Sequence, residues 1–274
     1  LIGRLFPMDI KSLLLVGCGK MGSALLDGWL DRGLPKDSIR IIEPSPSNWL
    51  KSQNISLNSR VDNFEPDYCV LAVKPQLIDE ALGQICHLGY KKTIFVSIVA
   101  GTRFQKFETI LGDQTPVVRA MPNTPAAIGK GISALVGNDN VRSEDLKKAE
   151  LLLSAVGDTV RLDNEDLLDV VTGVSGSGPA YVFNLIETMI KAAVEEGLDG
   201  DVAEKLVIST VIGAGELARQ SNDPPAQLRI NVTSPKGTTE AGLKYLMDKE
   251  NGLEQLIGRT IGAAVKRSKE LGNG

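Results

Sequence analysis

The chain has one histidine and three cysteines in 274 residues, and aromatics make up only 4%. His87 stands beside Cys86, just past an amphipathic stretch. Neighbours in sequence do not form a nucleophile–base pair, so His87 reads as a surface or loop histidine. The cysteines Cys18, Cys69 and Cys86 are scattered, odd in number and lack a CxxC spacing. That argues against a disulfide framework or a zinc site and fits a reducing cytoplasm. No metal is expected. No apolar run approaches the roughly 20 residues of a membrane span. No long basic run occurs, and the net charge of −4 gives a nucleic-acid partner little electrostatic support. The stretch from Leu1 to Pro7 lacks the long apolar core and small-residue cleavage site of a signal peptide, and Met8 offers an alternative start.

What is present is ordinary globular composition, 42% hydrophobic and 23% charged. The length allows one large domain or two modest ones. Up to Asp163, short apolar runs alternate with helical segments. Ser12–Val16, Ile39–Glu43, Tyr68–Val73, Thr93–Val99 and Val117–Ala120 read as strands, as do Ile132–Val136 and Thr159–Leu162. Gly22–Leu30, Gln76–Ile85, Arg103–Leu111 and Ser143–Ala155 read as helices between them. Alternation of this kind implies right-handed crossovers and a parallel sheet. After Asp163 the strands stop, and Leu167–Val174, Ala180–Glu196, Val202–Gln220 and Leu253–Leu271 are helical, with small residues at Gly213-Ala214-Gly215 and Gly262-Ala263-Ala264. The expected organisation is α/β: a Rossmann-type domain over residues 1–163 and an all-helical dimerisation and substrate domain over 164–274.

Gly17-Cys18-Gly19-Lys20-Met21-Gly22 follows a buried strand and opens a helix, the context that a dinucleotide fingerprint requires. The first glycine makes the tight turn, the second admits the pyrophosphate to the backbone, and the third lets helix and strand pack closely. The helix N-terminus adds free N–H groups. Glu43, at the end of the second strand, is placed to accept from the adenosine ribose hydroxyls and to repel a 2′-phosphate. No arginine follows in Pro44–Leu50, although Ser45, Ser47, Asn48 and Lys51 are at hand; the residues lean toward NAD(H). Ala72-Val73-Lys74-Pro75, Ala100 and the loop around Asn123 lie where the sheet's carboxyl edge is expected, and such edges bind ligands in open parallel sheets. Lys74 reads either as a solvated cation or as a cofactor contact. Asn123 stands in a loop stiffened by Pro122 and Pro125.

Two loops remain in the second half. Gly173-Val174-Ser175-Gly176-Ser177-Gly178 is a flexible run leading to Pro179, a good first helical residue. Val232-Thr233-Ser234-Pro235-Lys236-Gly237-Thr238-Thr239 gathers hydroxyls ahead of helical Glu240–Tyr245. It reads either as a plain helix cap or as a carboxylate site at a helix N-terminus. The number of polar and small residues favours the second.

From Ser12 to about Leu271 the chain resembles the pyrroline-5-carboxylate reductase family. The resemblance rests on Gly17–Gly22, Ala72–Pro75, Met121–Ala126, Ser175–Tyr181 and above all Val232–Leu243. The last segment usually reads Ser-Pro-Gly-Gly-Thr-Thr in the family; here Lys236 replaces a glycine. The resemblance implies reduction of 1-pyrroline-5-carboxylate to L-proline, with Ser234, Gly237, Thr238 and Thr239 holding the substrate and Thr239 bonding its ring nitrogen. It also implies a homodimer, assembling into decamers of five dimers, with active sites between one subunit's cofactor domain and its partner's helical domain. For the cofactor it favours NADP(H), against the lean from Glu43. The β-hydroxyacid dehydrogenases share the two-domain plan, and Gly173, Gly176 and Gly178 match their glycine motif. Their catalytic lysine, however, falls at Val182. A cofactor-sensing dimer without turnover is the non-enzymatic alternative, against which the hydroxyl loop stands.

Overall fold

A strand buried on both faces needs apolar side chains at every position. Strand β1 (Leu13–Val16) meets that demand with four buried residues. In the computed structural model, which describes residues 10–272, it lies inside an eight-stranded sheet. The readings of Leu1–Pro7 and Met8 fall outside the described residues. After β1 come α1 (Lys20–Asp31), β2 (Ile39–Ile42), α2 (Asn48–Ser52), β3 (Ser56–Leu57), β4 (Tyr68–Leu71), α3 (Ile78–Ile85), β5 (Ile94–Ser97) and α4 (Phe104–Leu111). They are followed by β6 (Val117–Met121), β7 (Gly131–Gly137), α5 (Ser143–Leu153), β8 (Gly157–Arg161) and α6 (Leu167–Val171). The sheet order is β3-β2-β1-β4-β5-β6-β7-β8. The chain builds outward from β1 through β2 and β3, then crosses back to β4 on β1's other side. The reversal opens a crevice at the carboxyl ends of β1 and β4, the usual ligand position in such sheets.

Alternate residues of these strands feed two cores, one per face. Leu13 and Leu15 belong with Leu25, Leu26 and Trp29 of α1 and Leu152 of α5. Leu14 and Val16 belong with Leu82 and Ile85 of α3 and Phe107 of α4. Each such side chain contributes about 2 kcal/mol on burial. Trp29 is fully buried, yet its indole N–H donates to the Leu152 carbonyl at 2.8 Å, so no polar group is stranded. Helix α1 ends at Gly33, φ 87°, whose N–H returns to the Leu30 carbonyl.

The sheet is mostly parallel, with one departure from the sequence expectation. β7 pairs antiparallel with β6, and β8 runs parallel to β7. A parallel return needs a crossover of roughly a dozen residues or more; only one 3-10 turn, Thr124–Ile128, separates β6 from β7.

The glycine run after α6 also differs from its reading as a flexible segment. Thr172–Gly176 forms a π-turn, closed by the Ser177 N–H on the Thr172 carbonyl at 2.8 Å, and passes directly into α7 (Gly178–Glu195). The Thr172 and Ser175 hydroxyls bond back to the carbonyls of Leu168 and Val171. Then follow α8 (Gly200–Gln220), α9 (Pro225–Asn231), α10 (Thr238–Leu246) and α11 (Leu253–Gly272). Asp199 caps α8 by accepting from the amides of Asp201 and Val202. None of the described helices is long and apolar enough to cross a membrane.

Contacts divide the chain into two units. One runs to Ser177 and takes back the chain from Ala264; the other is Gly178–Ala263. Strands cease earlier, at Arg161, but α6 packs on the sheet: Leu168 is buried with Met121, Ala134 and Val136. A polar network reinforces it. Buried Arg119 of β6 pairs with Glu165 at 2.6 Å, Arg103 bridges Asp166 and Asp169, and Asp169 accepts from the Ser268 hydroxyl at 2.6 Å.

Candidate active site

The glycine turn is built against backbone. Gly17 leaves β1 with φ 88°, a conformation that glycine adopts freely, while its N–H continues the ladder to the Ile42 carbonyl at 2.8 Å. A Cβ on Gly17 would lie 2.7 Å from the Ala72 carbonyl oxygen; one on Gly22 would lie 2.4 Å from that of Gly17. The third glycine therefore serves the turn itself as well as the contact between α1 and β4. A Cβ on Gly19 meets nothing within 4 Å. Its side opens on a cavity of about 350 Å³ lined by Gly17, Gly19, Glu43, Ser45, Val73 and Lys74 among others. Gly19 is the N-cap of α1 and offers no side-chain cap, so the first-turn amides at Lys20, Met21 and Gly22 have no side-chain partner there. These features fit a dinucleotide: a turn that admits no side chain, open space beside its middle glycine, and a free helix terminus.

Glu43 is held at that cavity. Its Oε2 accepts from the Cys18 N–H at 2.7 Å and its Oε1 from the Ser45 N–H at 2.9 Å. A carboxylate has about four acceptor positions, so two remain for other donors. Burial, then the Glu43 charge, pushes the Cys18 thiol up to about 12. Asn58 carries no motif in the sequence, yet its side-chain amide bonds both the N–H and the carbonyl of Glu43.

The remaining predicted cofactor residues divide between two places. Val73 and Lys74 line the first cavity with Ala72, whose N–H donates to the Val16 carbonyl at 2.8 Å. Pro75 and Ala100 line a second cavity of about 500 Å³ with Gly101, Thr102 and Arg103. The Lys74 side chain has no partner among the described residues. Asn123 lines neither; its Oδ1 accepts from the Ile132 N–H at 2.9 Å and braces the loop after β6. His87 sits on a 3-10 turn, its Nε2 3.2 Å from the Val61 carbonyl.

The hydroxyl loop stands in the helical unit. The Gly237 N–H donates to the Ser234 carbonyl at 3.0 Å, closing a turn with Pro235 second and Lys236 third. Lys236 has φ 60°, the left-handed value a type II turn demands at its third residue. Glu240 Oε2 accepts the Lys236 N–H at 2.7 Å. The N-cap of α10 is Gly237, with no side-chain cap. The hydroxyls of Ser234, Thr238 and Thr239 have no partner among the described residues, so they do not serve as a plain helix cap. A lysine in the left-handed region is strained. Lys236→Gly is expected to stabilise the chain by about 0.5–1 kcal/mol, as less left-handed strain outweighs the extra chain entropy of glycine. Thermal melting checks this; an unchanged or lower midpoint contradicts it.

Comparison with known proteins bears on both halves. Residues 165–271 match the family described as pyrroline-5-carboxylate reductase dimerisation, and residues 12–101 that described as NADP oxidoreductase, coenzyme F420-dependent. The pyrroline-5-carboxylate reductase of Pseudomonas aeruginosa is 38% identical over 269 residues, covering 96% of this chain and 98% of its own. The chain belongs to the pyrroline-5-carboxylate reductase family. The reductase structure from Coxiella burnetii matches with a TM-score of 0.90 at 32% identity, over 96% of this chain and 99% of that one. The Plasmodium falciparum pyrroline carboxylate reductase, solved with NADP bound, matches at 0.84 and 31% identity, over 96% and 98%. The family is one of oxidoreductases, and the glycine turn and the hydroxyl loop fall inside these matches.

Proposed function

We propose that the chain reduces 1-pyrroline-5-carboxylate to L-proline, the final step of proline biosynthesis, with a nicotinamide dinucleotide on the glycine turn and the substrate on the hydroxyl loop. The observation that carries the substrate half is the start of α10, which has no side-chain cap and where the Ser234, Thr238 and Thr239 hydroxyls have no partner among the described residues. When bound, the reduced nicotinamide supplies the hydride. Gly17, Gly19, Gly22 and the amides at Lys20 and Met21 hold the pyrophosphate. Glu43 faces the adenosine ribose, Ala72, Val73, Lys74 and Pro75 flank the dinucleotide, and Ala100 and Asn123 shape its nicotinamide end. Ser234, Gly237 and Thr238 bind the substrate carboxylate, and the Thr239 hydroxyl orients the ring nitrogen. That nitrogen is basic and takes its proton before the carbon–nitrogen double bond is reduced, so positive charge leaves the substrate in the transition state. The protein then needs to orient and to exclude water rather than to supply a strong acid. A chain whose one histidine lies against the Val61 carbonyl accords with that need.

Assembly belongs to the same reading. Phe183 and Ile212 are 63% and 65% exposed, and a Cβ on Gly213, Gly215 or Gly262 meets nothing within 4 Å. Apolar and small residues left open along helices suit a second copy. The homodimer, extended to a decamer of five dimers, completes each site across subunits. The free thiols Cys18, Cys69 and Cys86 are compatible with the cytoplasm.

The purified chain is expected to oxidise NADH or NADPH only when pyrroline-5-carboxylate is added; bound cofactor without turnover would favour a sensor. Paired kinetics decide the dinucleotide. A carboxylate at Glu43 repels a 2′-phosphate, so NADH is expected to give at least about a tenfold higher kcat/KM, equivalent to roughly 1.4 kcal/mol. Glu43→Gln should erode that margin. A strong preference for NADPH in the unaltered enzyme sinks the role given to Glu43.

A further inference from the structure

Strand β2 outruns its neighbour. β3 pairs with it only at Arg40↔Ser56 and Ile41↔Leu57, so the backbone of Glu43, one residue past β2, faces no strand on that side. Asn58 occupies the gap. Its N–H donates to the Ile41 carbonyl at 2.8 Å, and its backbone then turns left-handed, φ 51°. The turn sends the side-chain amide back along β2. There Oδ1 accepts from the Glu43 N–H and Nδ2 donates to the Glu43 carbonyl, both at 2.8 Å. One side chain thus satisfies both main-chain groups of a single residue, as a ladder rung would. Asparagine suits the position twice over. It carries a donor and an acceptor on one short planar group, and it tolerates the left-handed region better than most residues.

The consequence reaches the cavity. Glu43 is fixed at four points: its two backbone groups by Asn58, and its two carboxylate oxygens by the amides of Cys18 and Ser45. Without the first pair, the Glu43 backbone groups lose their fixed partners and the carboxylate is held by the Cys18 and Ser45 amides alone.

We propose that Asn58 is a positioning residue for dinucleotide selectivity: by clamping Glu43 it holds the carboxylate where ribose hydroxyls are bound and a 2′-phosphate is refused. This rests on the role given to Glu43 above. Asn58 does not line the cavity and acts only through Glu43.

The test compares four full-length enzymes with NADH and NADPH: unaltered, Asn58→Gly, Glu43→Gln and the double variant. Asn58→Gly keeps the left-handed backbone accessible and removes only the amide. Its KM for NADH is expected to rise about three- to tenfold while kcat at saturating cofactor stays within about twofold, the scale of a lost hydrogen-bonded support. The NADH/NADPH ratio of kcat/KM moves toward NADPH. In the Glu43→Gln background the same change leaves the ratio unmoved, because the clamp has no carboxylate left to place. Asn58→Ser is the second variant should the glycine form fold poorly. It stays neutral and is too short to bond both Glu43 groups, so the ratio should shift the same way. A purely structural role lowers the melting temperature without moving the ratio and overturns the proposal. A ratio that responds to Glu43→Gln but to neither Asn58 variant overturns the clamp alone. A ratio indifferent to Glu43→Gln overturns the role of Glu43 itself, and the clamp with it.

Discussion

Gly22→Ala is expected to raise the KM for the dinucleotide by about ten- to hundredfold and to lower thermal stability. The added Cβ would stand 2.4 Å from the Gly17 carbonyl oxygen and 3.3 Å from the Ala72 Cβ. The first neighbour is backbone, so the turn must open or α1 must shift. Overpacking of this kind costs about 1–3 kcal/mol, and each 1.4 kcal/mol is roughly tenfold in binding. Gly19→Ala separates folding from binding. Its Cβ meets nothing within 4 Å and points into open space, so the melting temperature should hold while cofactor affinity falls. Isothermal titration with NADH and NADPH, alongside thermal melting, checks both. If Gly19→Ala binds as well as the unaltered chain, the pyrophosphate does not pass that glycine and its placement on the turn is wrong.

Thr239→Ala is expected to lower kcat about ten- to hundredfold, the scale of one hydrogen bond to a charged or reacting group. The KM for cofactor should stay nearly constant. The side chain is exposed and makes no hydrogen bond among the described residues, and truncation at such a site changes stability by no more than about 0.5 kcal/mol. Lost turnover would therefore report chemistry rather than unfolding. Thr239→Ser retains the hydroxyl and should recover most of the rate. Unchanged kinetics in the alanine variant would remove Thr239 from the mechanism.

Much of the architecture is readable from residue pattern because buried parallel strands demand unbroken apolar runs. Leu13–Val16, Tyr68–Leu71 and Ile94–Val96 each supply one. Direction is not readable in the same way. The apolar run at Ile132–Val136 suits either orientation, and only the short link through Thr124–Ile128 turns β7 antiparallel. The two-residue β3 escapes notice because exposed Ser56 carries no apolar signal. The Gly173–Gly178 run looks flexible by composition, yet backbone bonds and the Thr172 and Ser175 hydroxyls order it as a π-turn. At the site, the fingerprint glycines and Glu43 are legible because their chemistry follows spacing along one chain segment. Asn58 is not, because its partner lies across a strand pairing that has no sequence signature. The left-handed state of Lys236 follows from Pro235 and the turn type, and becomes visible only when the Ser234 to Gly237 bond is seen.

The thiol in the glycine turn has a bearing on its reactivity toward oxidants. A cysteine beside a helix N-terminus usually ionises easily and reacts readily. Cys18 is buried next to an anion instead, and its thiol is pushed up to about 12. It therefore stays protonated at physiological pH and is a poor target for peroxide or alkylating reagents. Cys69 is fully enclosed, and Cys86 alone is exposed, on a turn that lines neither cavity described above. The exposed sulfur thus lies away from the glycine turn and the cavity beside it.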